Sequence, residues 1–284
     1  MRKKGEINMP HNNQKKIAVI NDISGFGKCS IAVALPIISH MKIQCCPLPT
    51  SVFSNHTGFD SFYYRDFTSD MERYIDEWKK LDLKFNGIAS GFLGSVEQIS
   101  IVEKFIDDFS DERTIVIVDP VMGEDGRAYP TYTDEMCSEM RRLAARADIL
   151  TPNMTEACML TDTPYKREGW KMTELFEITQ KLCKIGAKNV VISGIPMGGF
   201  LGNAVYDSEN GFSVPRMKKA GVIRSGTGDI FAAVIAAGAV NGVDFTRSVK
   251  KAAGFVKMCI EETEKRNIPL TDGVCFEDVL WKLK

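Results

Sequence analysis

The sequence has few histidines and no excess of charge of either sign. Only His11, His40 and His56 occur in 284 residues, and the sequence contains no GxSxG pattern. We therefore expect no serine-hydrolase site. Lysine and arginine number 36, aspartate and glutamate 37, and the net charge is −1. Because a surface that binds a phosphate backbone needs an excess of basic residues, this balance argues against nucleic acid as a partner.

Signals for export or membrane insertion are also missing. The first residues are basic and polar, and no apolar segment follows them as it would in a secretory signal. No apolar run reaches the roughly 18 residues that a membrane-spanning helix needs. The eight cysteines form no CxxC pair, which is typical of reduced, buried thiols. The sequence therefore predicts a cytoplasmic protein without membrane association.

Linkers, internal repeats and low-complexity tracts are absent as well. A composition of 44% hydrophobic and 26% charged residues is ordinary for a globular chain. We therefore predict a disordered tail over residues 1–14 and a single domain over residues 15–284.

Short apolar runs alternate with helical patterns along the chain. TIVIV and NVVIS are continuous apolar runs, as expected for strands that a parallel sheet buries on both faces. The alternation predicts an α/β fold with three α/β/α layers and a mostly parallel central sheet. We expect the first strand to stop at Asn21 and Asp22, and Pro36 to kink or end the helix that follows. A hairpin is predicted to turn at residues 209–211.

The segments that follow the predicted strands are polar and glycine-rich, and such segments hold ligands in open α/β sheets. NDISGFGK is close to a P-loop, but Asp22 replaces its first glycine and Cys29 its Ser or Thr. It also lacks the third glycine of a dinucleotide-binding turn. Asp22 and Ser24 are then either turn residues or hydrogen-bonding groups for a small polar substrate. His56 is either a turn residue or a neighbour of that substrate, and we favour the turn.

Two later segments, DPVMG and TPNMTEA, contain carboxylates that have two interpretations. Asp119 is either a turn residue or a ligand that faces a cation. Glu156 either complements a helix dipole or is, like Asp119, a ligand that faces a cation. Because both follow adjacent predicted strands, and Mg²⁺ prefers a few oxygen ligands and several waters, a magnesium site is the functional alternative.

The stretch RSGTGDIFAAVIAAG places Asp229 between a glycine-rich turn and an apolar helix. Asp229 could simply complement the helix N-terminus. Alternatively, Gly226 and Gly228 let backbone N–H groups close on an anion, and Asp229 is held beside that anion. Because a helix N-terminus stabilises a carboxylate, we expect Asp229 to be a weaker base than a free carboxylate.

FSNHTGF, SGFLGS, DPVMG, TPNMTEA and SGTGD, in this order over nearly the whole chain, resemble the pyridoxal kinases of the ribokinase-like superfamily. The resemblance implies a ribokinase-like fold without a separate lid domain, ATP and Mg²⁺ dependence, and phosphorylation of the 5′-hydroxymethyl group of a vitamin B6 vitamer. It also suggests a homodimer and leaves a need for a monovalent cation such as K⁺ open. The first motif, NDISGFG, is more similar to the hydroxymethylpyrimidine kinases, although these often carry Cys at the position of Asp229. A kinase of that kind and a vitamer-binding protein without catalysis are the alternatives.

The same resemblance implies roles for individual residues. Asp229 is similar to the catalytic base of the family, and Gly226, Thr227 and Gly228 to the anion hole beside it. The other implied candidates are Asp22, Ser24, Thr57 and Phe92 for the substrate, Asn153, Ser193 and Glu124 for the nucleotide, and Asp119 and Glu156 for the metal.

Overall fold

The computed structural model describes residues 11–130 and 132–284, and helices and strands alternate along them as the sequence predicts. The strands are β1 Lys16–Ser24, β2 Gln44–Phe53, β3 Tyr64–Asp66, β4 Gly87–Ser90, β5 Ile115–Val118, β6 Gly123–Glu124, β7 Arg127–Ala128, β8 Ile149–Leu150, β9 Asn189–Met197, β10 Phe200–Asp207, β11 Gly211–Ser213 and β12 Arg216–Lys218. The α-helices are α1 Ser30–His40, α2 Thr68–Lys80, α3 Val96–Phe109, α4 Asp134–Ala144, α5 Met154–Leu160, α6 Met172–Ile185, α7 Thr227–Val240 and α8 Phe245–Lys265. Short 3-10 helices follow at Leu270–Asp272 and Glu277–Leu283.

Ten strands form the central sheet in the order β11-β10-β9-β8-β5-β4-β1-β2-β3, with β12 paired to β10. The six strands from β9 to β2 in this order run parallel to their neighbours. Antiparallel pairs lie only at the two edges of this sheet. The predicted mostly parallel sheet is therefore confirmed, and the carboxyl ends of its parallel strands all lie on the same side of the sheet.

Helices cover both faces of the sheet. Ala18 and Ile20 of β1 belong to a core with α2 to α6, whereas Ile17 and Val19 belong to a second core with α1, α7 and α8. This alternation follows from the two-residue period of a strand, and it confirms the three predicted layers. Between β2 and α2 the chain adds only the short edge strand β3, so these residues build no separate lid domain.

One predicted boundary is wrong, and one of two alternatives at another is excluded. β1 continues past Asn21 through a bulge, and its pairing with β2 resumes until Ser24 lies opposite Phe53. Pairing with a neighbouring strand thus keeps these polar residues in extended structure. α1 runs through Pro36 to His40, so Pro36 does not end the helix, and the kink stays a prediction. The predicted hairpin is confirmed, with its turn between β10 and β11.

The remaining predictions about the chain concern its N-terminus, its cysteines and membranes. Of the predicted tail, residues 1–10 lie outside the described part, and Asn12 exchanges hydrogen bonds with the backbone of Asp82 and Lys84, each at 2.9 Å. All eight cysteines are free thiols, and five of them are buried. Within the described ranges, none of the helices has both the length and the apolar character needed to cross a bilayer.

Candidate active site

The carboxyl ends of three neighbouring strands bring polar side chains together with α7. Asn21 from β1, Ser90 from β4 and Asp119 after β5 share a cleft with Asp229. The rest of that cleft is lined by small and aliphatic side chains, which include Ala34, Ala89, Ala232, Ala233 and Ala236. Two carboxylates that are distant in sequence therefore occupy one site, as the order of strands in a parallel sheet predicts.

Asp229 is the third residue of α7 and lies beside the turn that begins this helix. Gly226, which caps α7, has φ of 83°, a left-handed conformation that glycine adopts without steric cost. The carboxylate accepts hydrogen bonds from the Ser30 N–H and from Asn21 Nδ2 at 3.4 Å. Burial nevertheless raises the pKa of Asp229 above its usual value. The expectation of a weaker base is therefore wrong, because burial outweighs the helix terminus and both donors.

Asp119 and Glu156 lie after adjacent strands, β5 and β8. Thr151 Oγ1 donates to Asp119 Oδ1 at 3.0 Å. Glu156 accepts from the N–H of Asn153 at 2.8 Å and from that of Met122 at 3.2 Å. Burial raises the pKa of both carboxyl groups; the charge of Asp229 adds to this at Asp119, and the charge of Asp119 adds to it at Glu156. The three carboxyl groups thus form one region in which the charge of one group opposes the ionisation of the next.

This region fits a hard cation that takes few protein ligands. The described residues contain no group of three or more His, Cys, Asp or Glu side chains arranged around one point. Mg²⁺ is usually bound through one or two carboxylates and keeps several waters, so a single carboxylate at the edge of the cleft is a suitable protein ligand. Asp119 offers such a group, while Glu156 is also engaged in the capping box of α5.

The three candidates for nucleotide binding lie around the start of α5. Asn153 forms a parallel bridge with Ser193 of β9, and its Nδ2 donates to the carbonyl of Gly123 at 2.8 Å. Glu124 is the next residue of the same β6–β7 hairpin and is exposed. Asn153 therefore holds β9 and the hairpin together, which explains why all three candidates lie close to one another.

Asp22 and Ser24 are buried below the cleft. Ser24 Oγ donates to Asp22 Oδ2 at 3.0 Å, and Ser30 Oγ to Oδ1 at 2.5 Å. Burial raises the pKa of Asp22 to about 6, against the hydrogen bond from Ser30. Because both carboxylate oxygens already have hydroxyl donors and Asp22 is only 5% exposed, the geometry favours a structural role over a substrate contact. The pair lies in the extended end of β1 and not in a turn.

Thr57 and Phe92, the other substrate candidates, lie on different loops. Thr57 is exposed in the loop after β2. Phe92 is half-buried after β4, with its ring 6.3 Å from that of Phe53 in an edge arrangement. His56 has Nε2 2.7 Å from the Thr271 carbonyl, and its Nδ1 accepts from the Gly58 N–H at 3.0 Å. Both ring nitrogens are satisfied by backbone, which favours the turn role of His56.

The sequence did not reveal two residues that hold this site in place through hydrogen bonds. Asn21 contacts Asp229. Arg224, two residues before Gly226, is buried, and one guanidinium nitrogen donates to the carbonyls of Ile268 and Pro269 at 2.6 and 2.9 Å. No local pattern could have shown either role, because their partners lie far along the chain.

The turn at Gly226 makes a specific prediction about stability. A Cβ at this position would lie 2.0 Å from the carbonyl oxygen of Lys28, whereas one at Gly228 would meet nothing within 4 Å. We expect Gly226→Ala to lower the free energy of unfolding by at least about 1–2 kcal/mol, the cost of a left-handed alanine. Gly228→Ala, the matched control, should change it by less. Urea unfolding of both variants checks this, and equal stabilities would contradict the clash expected at residue 226.

Residues 65–272 match the family model for phosphomethylpyrimidine kinase. A Bacteroides thetaiotaomicron structure, provisionally described as a phosphomethylpyrimidine kinase, is 37% identical with a TM-score of 0.93, and the match covers 97% of this chain and 96% of that one. A second crystal form under the same description, with pyridoxal, is 36% identical with a TM-score of 0.91, over 95% of this chain and 96% of that one.

Two relatives found by sequence carry different names. Pyridoxine/pyridoxal/pyridoxamine kinase of Bordetella avium is 29% identical over 273 residues, which cover 90% of each chain. Hydroxymethylpyrimidine/phosphomethylpyrimidine kinase of Bacillus subtilis is 27% identical over 184 residues, which cover 64% of this chain and 66% of the relative. The two relatives therefore agree on a kinase and differ in the hydroxymethyl compound that their names contain.

Proposed function

From the premise that this chain belongs to the ribokinase-like phosphomethylpyrimidine kinase family, we propose that it is a pyridoxal kinase. In this proposal it transfers the γ-phosphoryl group of ATP to the 5′-hydroxymethyl group of a vitamin B6 vitamer. The observation that carries the proposal is the position of Asp229, at a glycine-lined helix N-terminus and in the same cleft as Asp119. The crystal form of a 36% identical protein with pyridoxal supports the choice of substrate.

The geometry suits phosphoryl transfer because that reaction needs alignment and charge neutralisation more than covalent chemistry. The N–H groups of the first turn of a helix have no intrahelical acceptor. At Gly226, Thr227 and Gly228 they supply a positive field for the transferring group. Asp229 orients the substrate hydroxyl and accepts its proton as the bond to phosphorus forms. Its raised pKa makes it a better proton acceptor than an exposed aspartate.

The other candidates take supporting roles in this proposal. Asp119 and Glu156 would hold Mg²⁺, which neutralises phosphate charge when it is bound. Asn153, Ser193 and Glu124 border the nucleotide, and Thr57 and Phe92 the pyridine ring. We further propose a homodimer, as the motif resemblance implies, and a cytoplasmic location, as the cysteine usage indicates.

Hydroxymethylpyrimidine is the second candidate substrate, because the family model and the Bacillus subtilis relative both carry that chemistry in their names. ADP formation should be measured side by side with pyridoxal, pyridoxine, pyridoxamine and hydroxymethylpyrimidine. We expect the highest kcat/KM with a B6 vitamer. A higher kcat/KM with hydroxymethylpyrimidine would replace the proposal by its alternative. Tight vitamer binding without ADP formation would indicate a binding protein.

A further inference from the structure

Asn21 connects three separate parts of the cleft. Its Oδ1 accepts hydrogen bonds from the N–H of Phe92 at 2.8 Å and from that of Asp22 at 2.9 Å. Its Nδ2 donates to Asp229 Oδ1 at 3.4 Å. The Asn21 side chain thus links the end of β1, the segment after β4 and the first turn of α7. The residue is only 6% exposed.

The orientation of this amide is fixed by its surroundings. Two backbone N–H groups face one atom, so that atom must be the acceptor Oδ1 and the donor Nδ2 must face Asp229. Gly91 leaves the space for it, because a Cβ there would lie 2.4 Å from Nδ2. The pairing of β1 with β2 shifts register between Asn21 and Ile23, where β2 contains one residue more than β1, and such irregularities are frequent next to active sites.

We propose that Asn21 is a positioning residue, which holds the carboxylate of Asp229 in its reactive orientation and in its ionised form. This role rests on the proposed function of Asp229 as the proton acceptor. It goes further, because it assigns the donor that opposes protonation of that carboxylate in a crowded, acidic cleft.

The groups that face Asp229 show why a donor is needed there. Burial raises the pKa of Asp22 on β1, Asp119 after β5, Cys29 before α1 and Tyr129 after β7, and the charge of Asp229 adds to this at each of them. All four are neutral or negative, so none supplies a compensating positive charge. A hydrogen bond to the ionised form favours that form against burial, and the Asn21 amide and the Ser30 N–H are the two donors that do so from outside α7.

The test replaces the donor while keeping the shape. Asn21→Asp is isosteric and keeps one oxygen for the N–H groups of Phe92 and Asp22, but it turns a like charge toward Asp229. Asn21→Ala removes the donor without adding charge. Asn86→Asp is the matched control, because Asn86 Oδ1 also accepts from a backbone N–H, that of Lys16 at 3.0 Å, at the opposite end of β1.

Two measurements are made on each folded variant. With the full-length enzyme, kcat for the vitamer should fall about 10- to 100-fold in Asn21→Asp, the range for a lost hydrogen bond to a charged group, while the KM for ATP changes by less than about threefold. The Asp229 carboxyl resonance, identified in ¹³C-aspartate-labelled protein by its loss in Asp229→Asn of the same background, should titrate about one pH unit higher. Asn86→Asp should change neither.

The two readouts separate this proposal from the proposed function. An unchanged titration of Asp229 in a folded Asn21 variant overturns the role of Asn21, whatever the turnover is. A raised titration in Asn21→Ala, which adds no charge, supports the role even if no hydroxymethyl compound is phosphorylated, in which case only the proposed function fails. If Asn21→Ala does not fold, Asn21→Asp decides the question, because it retains the acceptor for both backbone groups.

Discussion

Asp229→Asn is expected to lower kcat for the vitamer by about 10²- to 10⁴-fold, the usual contribution of a positioned acid–base group. Asparagine keeps the shape of the side chain but cannot accept the proton of the substrate hydroxyl. Steady-state ADP formation measures this effect. Asp70→Asn is the matched control, because Asp70 occupies the same position, the third residue of a helix, in α2. We expect it to leave turnover unchanged.

The stability of Asp229→Asn distinguishes a catalytic role from helix capping. Folding raises the pKa of Asp229, so the wild type binds this proton more tightly when folded and loses stability as the pH rises through that range. The asparagine does not titrate. We therefore expect the variant to gain stability relative to the wild type as the pH rises above about 4, the usual pKa of an aspartate. A variant with wild-type turnover and lower stability at neutral pH would return Asp229 to a capping role.

Arg224→Met is expected to lower the free energy of unfolding by about 3 kcal/mol, as two hydrogen bonds from a buried charged group to part-buried backbone carbonyls are lost. The guanidinium also lies 3.3 Å from Glu264, and the arginine side chain is 5% exposed. The same C-terminal segment contacts the His56 loop through the Thr271 carbonyl and Lys28 through Glu277. Arg224 thus connects the residues before Gly226 to the C-terminal segment, which also contacts the His56 loop and Lys28.

Urea denaturation of Arg224→Met, compared with that of a variant at a surface arginine, checks this prediction. Arg142 pairs with Glu103 but its side chain is 55% exposed, and exposed ion pairs contribute about 0–1 kcal/mol. Arg142→Met should therefore cost less than about 1 kcal/mol on the same scale. If Arg224→Met were no more destabilising than Arg142→Met, the C-terminal segment would not depend on Arg224.

The convergence of the candidate site could be predicted because it follows from topology. Asp119 and Glu156 follow strands that proved adjacent and parallel, and Asp229 begins a helix that packs beside them. The pKa of Asp229 could not be predicted, since the helix N-terminus is visible in the sequence but the burial of its carboxyl group is not. Asp22 was ambiguous for the same reason: its hydroxyl partners, Ser24 and Ser30, fit a turn and a substrate contact equally well until burial is known.

The sequence alone determined the three-layer α/β fold, the polar strand ends and the glycine-rich turn before α7, because periodicity and turn chemistry are local properties of a chain. Only the tertiary structure decided where β1 ends, which charges share a cleft, and that Asn21 and Arg224 fasten it. Those features depend on groups from distant segments. Their distances and exclusion from water exist only once the sheet and its helices have packed.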